Sequence, residues 1–298
     1  MRLTALIKRN TKMFFKDKGL FFTSLITPLI LLVLYMTFLG NVYRDSFASA
    51  FVGLSISDTL LDATVAGQLV SSLLAVCCVT VAFCSNMLMV QDKVSRAKND
   101  LSITPLKPSV LALSYYISTL FSTLIINFIA VGAGFAYIAS MGWYLSYADV
   151  IVILLDVFLL VMFGTALSST VNFFLSSQGQ ISAVGSIISS VYGFVCGAYM
   201  PISQFGEGLQ KVLMFLPGTH ATSLLRVHFM RGAFDEMKAD GIPDSVIETM
   251  KDAVDCNIYF FGDKISDEIK LAVLCGSVIV LIAVYVILNM TAKKKSKG

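Results

Sequence analysis

Charge is what this chain has least of. Lys, Arg, Asp and Glu make up only 14% of its 298 residues, against about 25% in a soluble globular protein. Hydrophobic residues make up 56%, and the mean hydropathy is +0.80. Too little polar surface is left to cover the molecule in water, so a soluble globular protein is excluded. The phosphate-cradling pattern G-x-x-x-x-G-K-[ST] is missing, and no glycine is followed by lysine. Any nucleotide hydrolysis that drives this protein must then occur on another chain. The largest segment outside the apolar runs, 201–269, leaves no room for a soluble catalytic domain. Histidine is scarce too. His220 and His228 stand eight residues apart, about two helical turns, with no cysteine or carboxylate cluster beside them, so no metal site is expected. The cysteines form no disulfide framework: Cys77, Cys78, Cys84, Cys196 and Cys275 fall inside apolar runs, and Cys256 outside them reads as a free thiol.

What is abundant is long apolar sequence. A bilayer-spanning helix needs about 20 such residues, and six runs qualify: Gly19–Leu39, Gly67–Val90, Val110–Ser140, Val150–Phe174, Ile181–Met200 and Leu271–Met290. Backbone groups in lipid must bond within their own segment, so these are helices. The segments 1–18, 91–109, 175–180 and 291–298 together hold 14 basic and 3 acidic residues. The alternate set, 40–66, 141–149 and 201–269, holds 7 basic and 15 acidic residues. That bias puts both termini in the cytoplasm. The expected fold is an all-α integral membrane protein with six spans in a single domain.

Residues 1–18 are too basic, and lack the small-residue cleavage site, for a signal peptide. Leu3, Leu6, Ile7, Phe14 and Phe15 share one helical face while Lys8, Arg9, Lys12 and Lys16 share the other, as in an amphipathic helix on the inner leaflet. The end, "KKKSKG", reads as a basic tail. Asp156 is the one acid within a span, and it is expected to pair with a polar neighbour or face a wet vestibule. Polar residues dot the second run (Ser72, Asn86) and the fifth (Ser189, Tyr192), and the fifth carries Gly193-x-x-x-Gly197. Helix packing and a substrate path both account for such residues, and Gly193 and Gly197 suit close helix approach. Pro201 stops the fifth helix, and residues 206–216 form a short amphipathic stretch before Pro217-Gly218. The expectation is an exterior re-entrant hairpin with Phe205, Leu209, Val212 and Leu216 packed inward, followed by a small helical exterior subdomain over 233–268.

The succession "DKGLFFTSLITPLILLVLYMTFLG", "KNDLSITPLKPSVLALSYYIS" and "GAYMPISQF…LPGTHATSLLR" resembles, in order and spacing, the membrane subunit of an ABC exporter of the type-2 permease family. The resemblance covers essentially the whole chain. Where family members often carry Glu early in the first cytoplasmic loop, this chain has Asp92. The resemblance implies that part of 91–109, within about 91–102, is a coupling helix seated on an ATP-binding-cassette subunit through Asp92, Lys93, Arg96, Lys98 and Asp100, with Pro105 and Pro108 stiffening the entry into the third span. It implies a translocation path with Ser72, Asn86, Ser189 and Tyr192 on the second and fifth spans, and an outer gate at Phe205, Leu209 and Leu216. It also implies ATP and Mg on the partner ATPase with no cofactor here, a second permease subunit (identical or not), contact with membrane lipid but not nucleic acid, and a bacterial plasma-membrane location. The substrate class would be an amphipathic drug, a hydrophobic peptide or a lipid-linked product. An ion-driven secondary transporter is disfavoured by the lack of an inverted repeat with broken helices, and a membrane enzyme by the lack of a catalytic constellation.

Overall fold

A computed structural model describes residues 3–50, 56–97, 101 and 107–295. Among these residues, five helices are long and apolar enough to cross a membrane. The chain opens with α1 (Leu3–Lys16). The second helix, α2 (Lys18–Leu34), is capped at its start by the Asp17 carboxylate, which accepts from the Leu20 amide at 3.1 Å. It passes through a π-helical turn at Tyr35–Leu39 into α3 (Gly40–Ala50). Then come α4 (Asp58–Val94), α5 (Pro108–Met141) and α6 (Tyr147–Phe174). The helix α7 (Gln178–Val195) is followed by a 3-10 turn at Ile202–Gln204, α8 (Glu207–Leu213), α9 (Pro217–Ala239) and α10 (Asp244–Ala253). A two-residue hairpin, β1 (Tyr259–Phe260) against β2 (Asp263–Lys264), leads to the last helix, α11 (Asp267–Lys295).

The apolar runs lie within these helices, the first extending from α2 through the π-helical turn, except at the fifth run. There the helix ends at Val195 and the chain turns by Met200. At 1.5 Å per residue, the 18 residues of α7 reach about 27 Å, close to a hydrocarbon core of about 30 Å. Its glutamines and serines keep it out of the set of five apolar spans. By contrast α4, with 37 residues, is about 55 Å long, longer than the roughly 40–45 Å of a whole bilayer.

The architecture is organised around α4. Its most apolar window is 94% buried, because α2, α5, α6, α7 and α9 all pack on it. Polar side chains on such a helix must be satisfied by protein. Thr64 and Thr80 donate to carbonyls one turn back. The Asn86 amide donates to Ser168 Oγ (3.1 Å) and Ser169 Oγ (3.0 Å) on α6 and accepts from Thr119 Oγ1 (3.3 Å) on α5.

Two charged contacts lock one end of the bundle. Arg9 of α1 makes a forked pair with Asp92 (2.6 and 3.1 Å), and the Tyr115 hydroxyl donates to the same carboxylate at 2.6 Å. Lys93 donates to the carbonyls of Asn172, Phe173 and Leu175 at 3.0, 2.6 and 2.9 Å, a cation at the negative end of α6. As a result α1 is a docked helix. Leu6, Asn10 and Phe14 are buried, α5 is its main packing partner, and Met13 and Phe15 stay partly exposed.

The segment between α7 and α11 is not a separate exterior layer. The central stretch of α9 is buried from Gly218 to Arg226, and the helix packs on α4, α6 and α11. The helix α10 joins the same core through buried Ile247 and Met250, and the β-hairpin adds a strand pair where helix alone was expected. His228 Nδ1 meets Asp156 Oδ2 at 2.5 Å, so the intramembrane acid of α6 pairs with α9. One helical turn further along α9, Arg231 pairs with Asp149. The other histidine, His220, bonds through Nε2 to the Met214 carbonyl (2.8 Å), and burial holds its pKa below the usual histidine value. No metal-binding cluster occurs among the described residues, and all six cysteines are free.

Candidate functional site

The candidate groove is built from two helices that leave one face uncovered. On α2, Phe22, Ile26, Leu29, Ile30 and Val33 are exposed, and on α7 so are Ile187, Val191 and Phe194. Between the two helices runs an open groove of 740 Å³. Its α2 wall is Leu20, Thr23, Ile26, Ile30 and Leu31. Its α7 wall carries Ser182, Ser186, Ser189 and Ser190, with Gln178 at the base and Tyr199 at the top. Only Cys84, Met87 and Gln91 of α4 reach the groove. Apolar walls with a ladder of hydroxyls, two glutamines and Asp17 at one end suit a molecule that is mostly hydrocarbon with a few polar groups.

The expected path residues divide. Ser189 lines the groove, and its carbonyl accepts from the Tyr199 hydroxyl at 3.2 Å. Ser72, Asn86 and Tyr192 lie inside the protein, at 2%, 1% and 8% exposure. Ser72 and Asn86 belong to α4, which its neighbours enclose almost wholly, so the groove is lined mainly by the first and fifth apolar segments, with Cys84 and Met87 added by the second.

Gly193 and Gly197 do not pack one helix on another. Gly197, at φ +78°, ends α7 in the left-handed conformation that glycine adopts most easily. The amides of Ala198 and Tyr199 then bond back to the Gly193 carbonyl at 2.8 and 3.0 Å. A Cβ at Gly193 would sit 2.3 Å from the Tyr199 ring, so its missing side chain is where that ring folds down. The pair of glycines makes a chain reversal.

That reversal is anchored by a group the sequence did not advertise. Arg226, fully buried on α9, donates to the Gly197 carbonyl (2.6 Å), Ser72 Oγ (3.2 Å) and Asp255 Oδ2 (3.1 Å). Asp255 also accepts from the amides of Ile202 (2.6 Å) and Ser203 (3.3 Å). One ion pair thus joins α4, the end of α7, α9 and the loop before β1. The visible clue was a lone arginine in the apolar stretch "TSLLRVHFM": a cation buried there demands a partner.

The short helix α8 presents a different face from the expected one. Ile202, Leu213 and Met214 are buried, whereas Leu209 and Val212 are 47% and 58% exposed, and Phe205 and Leu216 are half-buried. The 3-10 turn before the helix and Pro217 after it set its rotation, which the hydrophobic pattern alone does not fix.

At the opposite end, the polar loop after α4 is partly structural. Residues 91–94 are the last turn of α4, and Asp92 and Lys93 make the internal contacts already described. Arg96 is exposed and takes the left-handed conformation, φ 62°, just past the helix end. A glycine would sit there without the roughly 1 kcal/mol that a side chain costs, so a cation is held where the backbone disfavours it. Lys98, Asp100 and Pro105 lie outside the described residues, while Pro108 begins α5.

Fold and groove together define a polytopic α-helical membrane protein with an amphipathic groove open on one side. Residues 55–291 match the family model described as "ABC-2 family transporter protein", and the chain belongs to that family. Membership makes it an ABC-type permease subunit, which works with an ATPase subunit. No curated protein matches it.

Proposed function

We propose that this chain is the permease of an ATP-driven exporter carrying an amphipathic or hydrophobic substrate outward, the substrate being a drug, a peptide or a lipid-linked product. In this reading α7 is the sixth crossing, both termini are cytoplasmic, and the setting is a bacterial cell membrane. A second permease subunit, identical or related, faces the α2/α7 groove and closes it into a cavity. The chain is no enzyme. ATP and Mg are bound by the partner ATPase, which docks at Arg96 and the loop leading to α5. The observation that carries the reading is the hydroxyl-lined groove, open on the side that no element described here covers.

The mechanism follows from the way α4 is tied at its two ends. Closure of the ATPase dimer pushes on the loop after α4. The Asp92–Arg9–Tyr115 knot and the Lys93 cap convert that push into a joint displacement of α1, α4, α5 and α6. Nearer the middle of α4, Ser72 contacts Arg226, which holds the end of α7, so displacement of α4 bears on the reversal beyond the groove. The segment 201–216, seated by Ile202, Leu213 and Met214, serves as the outer gate. To test this, the permease and its ATPase are reconstituted into inside-out vesicles. Wild type should accumulate a hydrophobic fluorescent substrate with ATP. Arg96→Glu with Lys98→Glu should cut accumulation at least about tenfold without reducing membrane yield, the effect of about 1.4 kcal/mol of lost coupling. Unchanged ATPase association and transport in that variant would remove the docking assignment.

A further inference from the structure

Away from the groove, α8 and the β-hairpin expose an apolar surface that changes character from one side to the other. The two elements form one unit. Ile202, Leu213 and Met214 share a buried cluster with Ile258 and Ile265, which flank the hairpin, and Phe205, Leu216 and Phe260 pack against it. The hairpin ends at Lys264 and α11 begins at Asp267, so the unit sits where one of the five apolar spans starts. Ile269, in the first turn of that span, is already exposed.

The exposed part of α8 is divided lengthwise. At about 3.6 residues per turn, Leu213 marks the packed face, Leu209 and Val212 fall on one flank, and Glu207 and Lys211 fall on the other. All four flanking residues are exposed. Aromatic rings stand at the boundary. Phe215, in the turn that ends the helix, is exposed and meets Phe260 edge-on at 5.1 Å. Phe260 meets Phe261 at 4.7 Å, and Lys211 Nζ stands 5.9 Å from the centre of the Phe261 ring. The surface therefore runs from aliphatic through aromatic to charged. Phe261 itself is 64% exposed at φ 51°, followed by Gly262 at φ 101°, in the two-residue loop of the hairpin. Such a loop favours Asn-Gly or Asp-Gly, and a bulky residue is out of place at a positive φ. The backbone gives no reason for a ring at the tip, so its reason lies in what the ring meets.

We infer that α8 and the hairpin tip lie in the interfacial layer of the bilayer, with Leu209 and Val212 against acyl chains, Phe215 and Phe261 among the headgroups, and Glu207 in water. A protein partner calls for a different pattern. Protein interfaces have an apolar centre ringed by a polar rim, whereas a bilayer surface grades in one direction, from hydrocarbon through an aromatic layer to water. Lys211 beside Phe261 fits that layer, because its stem can lie along the ring while the ammonium reaches water. The inference rests on α11 crossing the bilayer and needs neither an ATPase nor the outer-gate assignment. It gives the segment 201–216 a second seat, the lipid surface, beside its seat on protein.

The experiment uses the full-length chain in phosphatidylcholine nanodiscs. Trp143 is the single tryptophan of the chain, so a Trp143→Phe background allows one reporter at a time. Val212→Trp should lose most of its emission to phosphatidylcholine brominated along the acyl chain, and little to iodide in the buffer. Phe261→Trp should be quenched most by a nitroxide on the lipid headgroup. Glu207→Trp should respond to iodide alone. If Val212→Trp does not fold, Leu209→Trp repeats the measurement on the same flank. Strong quenching at position 212 by iodide would put α8 in water. Protection there from both iodide and brominated lipid would mean that protein, a second copy of this chain included, covers the flank. Either result overturns the assignment, as would a Phe261→Trp signal that only iodide reaches.

Discussion

The helices α4 and α7 are alike in composition and opposite in use. Both are apolar helices dotted with serine. In α4 two polar groups point into other helices of the same chain: Ser72 toward Arg226, and Asn86 toward Ser168, Ser169 and Thr119. In α7 the serines at 182, 186, 189 and 190 line an open groove. The difference lies in how many neighbours each helix has, seven around α4 and few around α7. A polar residue in a membrane helix therefore acquires its role from what surrounds it. Inside a bundle it holds helices together, and on an uncovered face it is free to meet a substrate.

If the polar groups around α4 are structural, breaking their strongest member should cost stability before it changes transport. Arg226→Ala leaves Asp255 buried without its partner and removes the tie to Gly197 and Ser72. Breaking a buried pair in this way costs about 3–5 kcal/mol. The expected outcome is a large loss of thermal stability in detergent and of folded yield. Asp255→Ala should behave alike, and the double variant should cost less than the sum of the two single changes because they share one interaction. Additive effects would mean that the pair does not join these elements.

A smaller effect is expected at Asn86. Its replacement by Leu strands Ser168, Ser169 and Thr119, a cost of about 1–3 kcal/mol, and should lower thermal stability accordingly. The contrast with α7 can be sharpened by accessibility. In single-cysteine variants on a cysteine-free background, Ser186→Cys and Ser190→Cys should react with a hydrophilic maleimide, while Ser72→Cys and Asn86→Cys should not. Rapid labelling at position 86 would move the path to α4 and undo the comparison.

Much of this was legible in the sequence, and the rest was not for definite reasons. Composition and run length announce a helical membrane protein, because a bilayer admits few other solutions. The apolar runs lie within their helices except at the fifth, where Gly197 turns the chain before Met200. Asp156 was expected either to pair with a polar neighbour or to face a wet vestibule, and in the structure it pairs with His228. What local pattern does not carry is the identity of neighbours. Asp92 looked like a docking charge on a polar loop, yet its partner, Arg9, lies 83 residues away. Gly193 and Gly197 matched a helix-packing spacing, but a left-handed φ is invisible in a four-residue pattern. The packed face of α8 was misjudged because the turns at its two ends, rather than its own period, set its rotation. Arg226 and Asp255 are 29 residues apart, and only the cost of burying either one hints that they meet.

The smallest effect concerns polar contacts that face water, where the same chemistry carries little energy. Glu248 on α10 pairs with Lys264 at 2.9 Å and Lys251 at 3.0 Å. These hydrogen bonds hold its pKa at about 2, below the ordinary glutamate value of 4.5. A depressed carboxylate contributes stability above its unfolded pKa and loses it as pH falls through the folded value, so the window is about pH 4.5 down to 2. The side chain is 46% exposed, so solvent and salt screen most of that contribution. Hydrogen exchange across α10 and the β-hairpin should therefore match between wild type and Glu248→Gln below pH 2. Above pH 5 wild type should be only slightly slower, and raised salt should shrink that difference. Other buried acids titrate alike in both proteins, so the comparison isolates Glu248. A large, salt-insensitive gap at neutral pH would mean that this exposed cluster holds the subdomain as firmly as the buried Arg226 pair holds the helices, and that burial is not what separates the two.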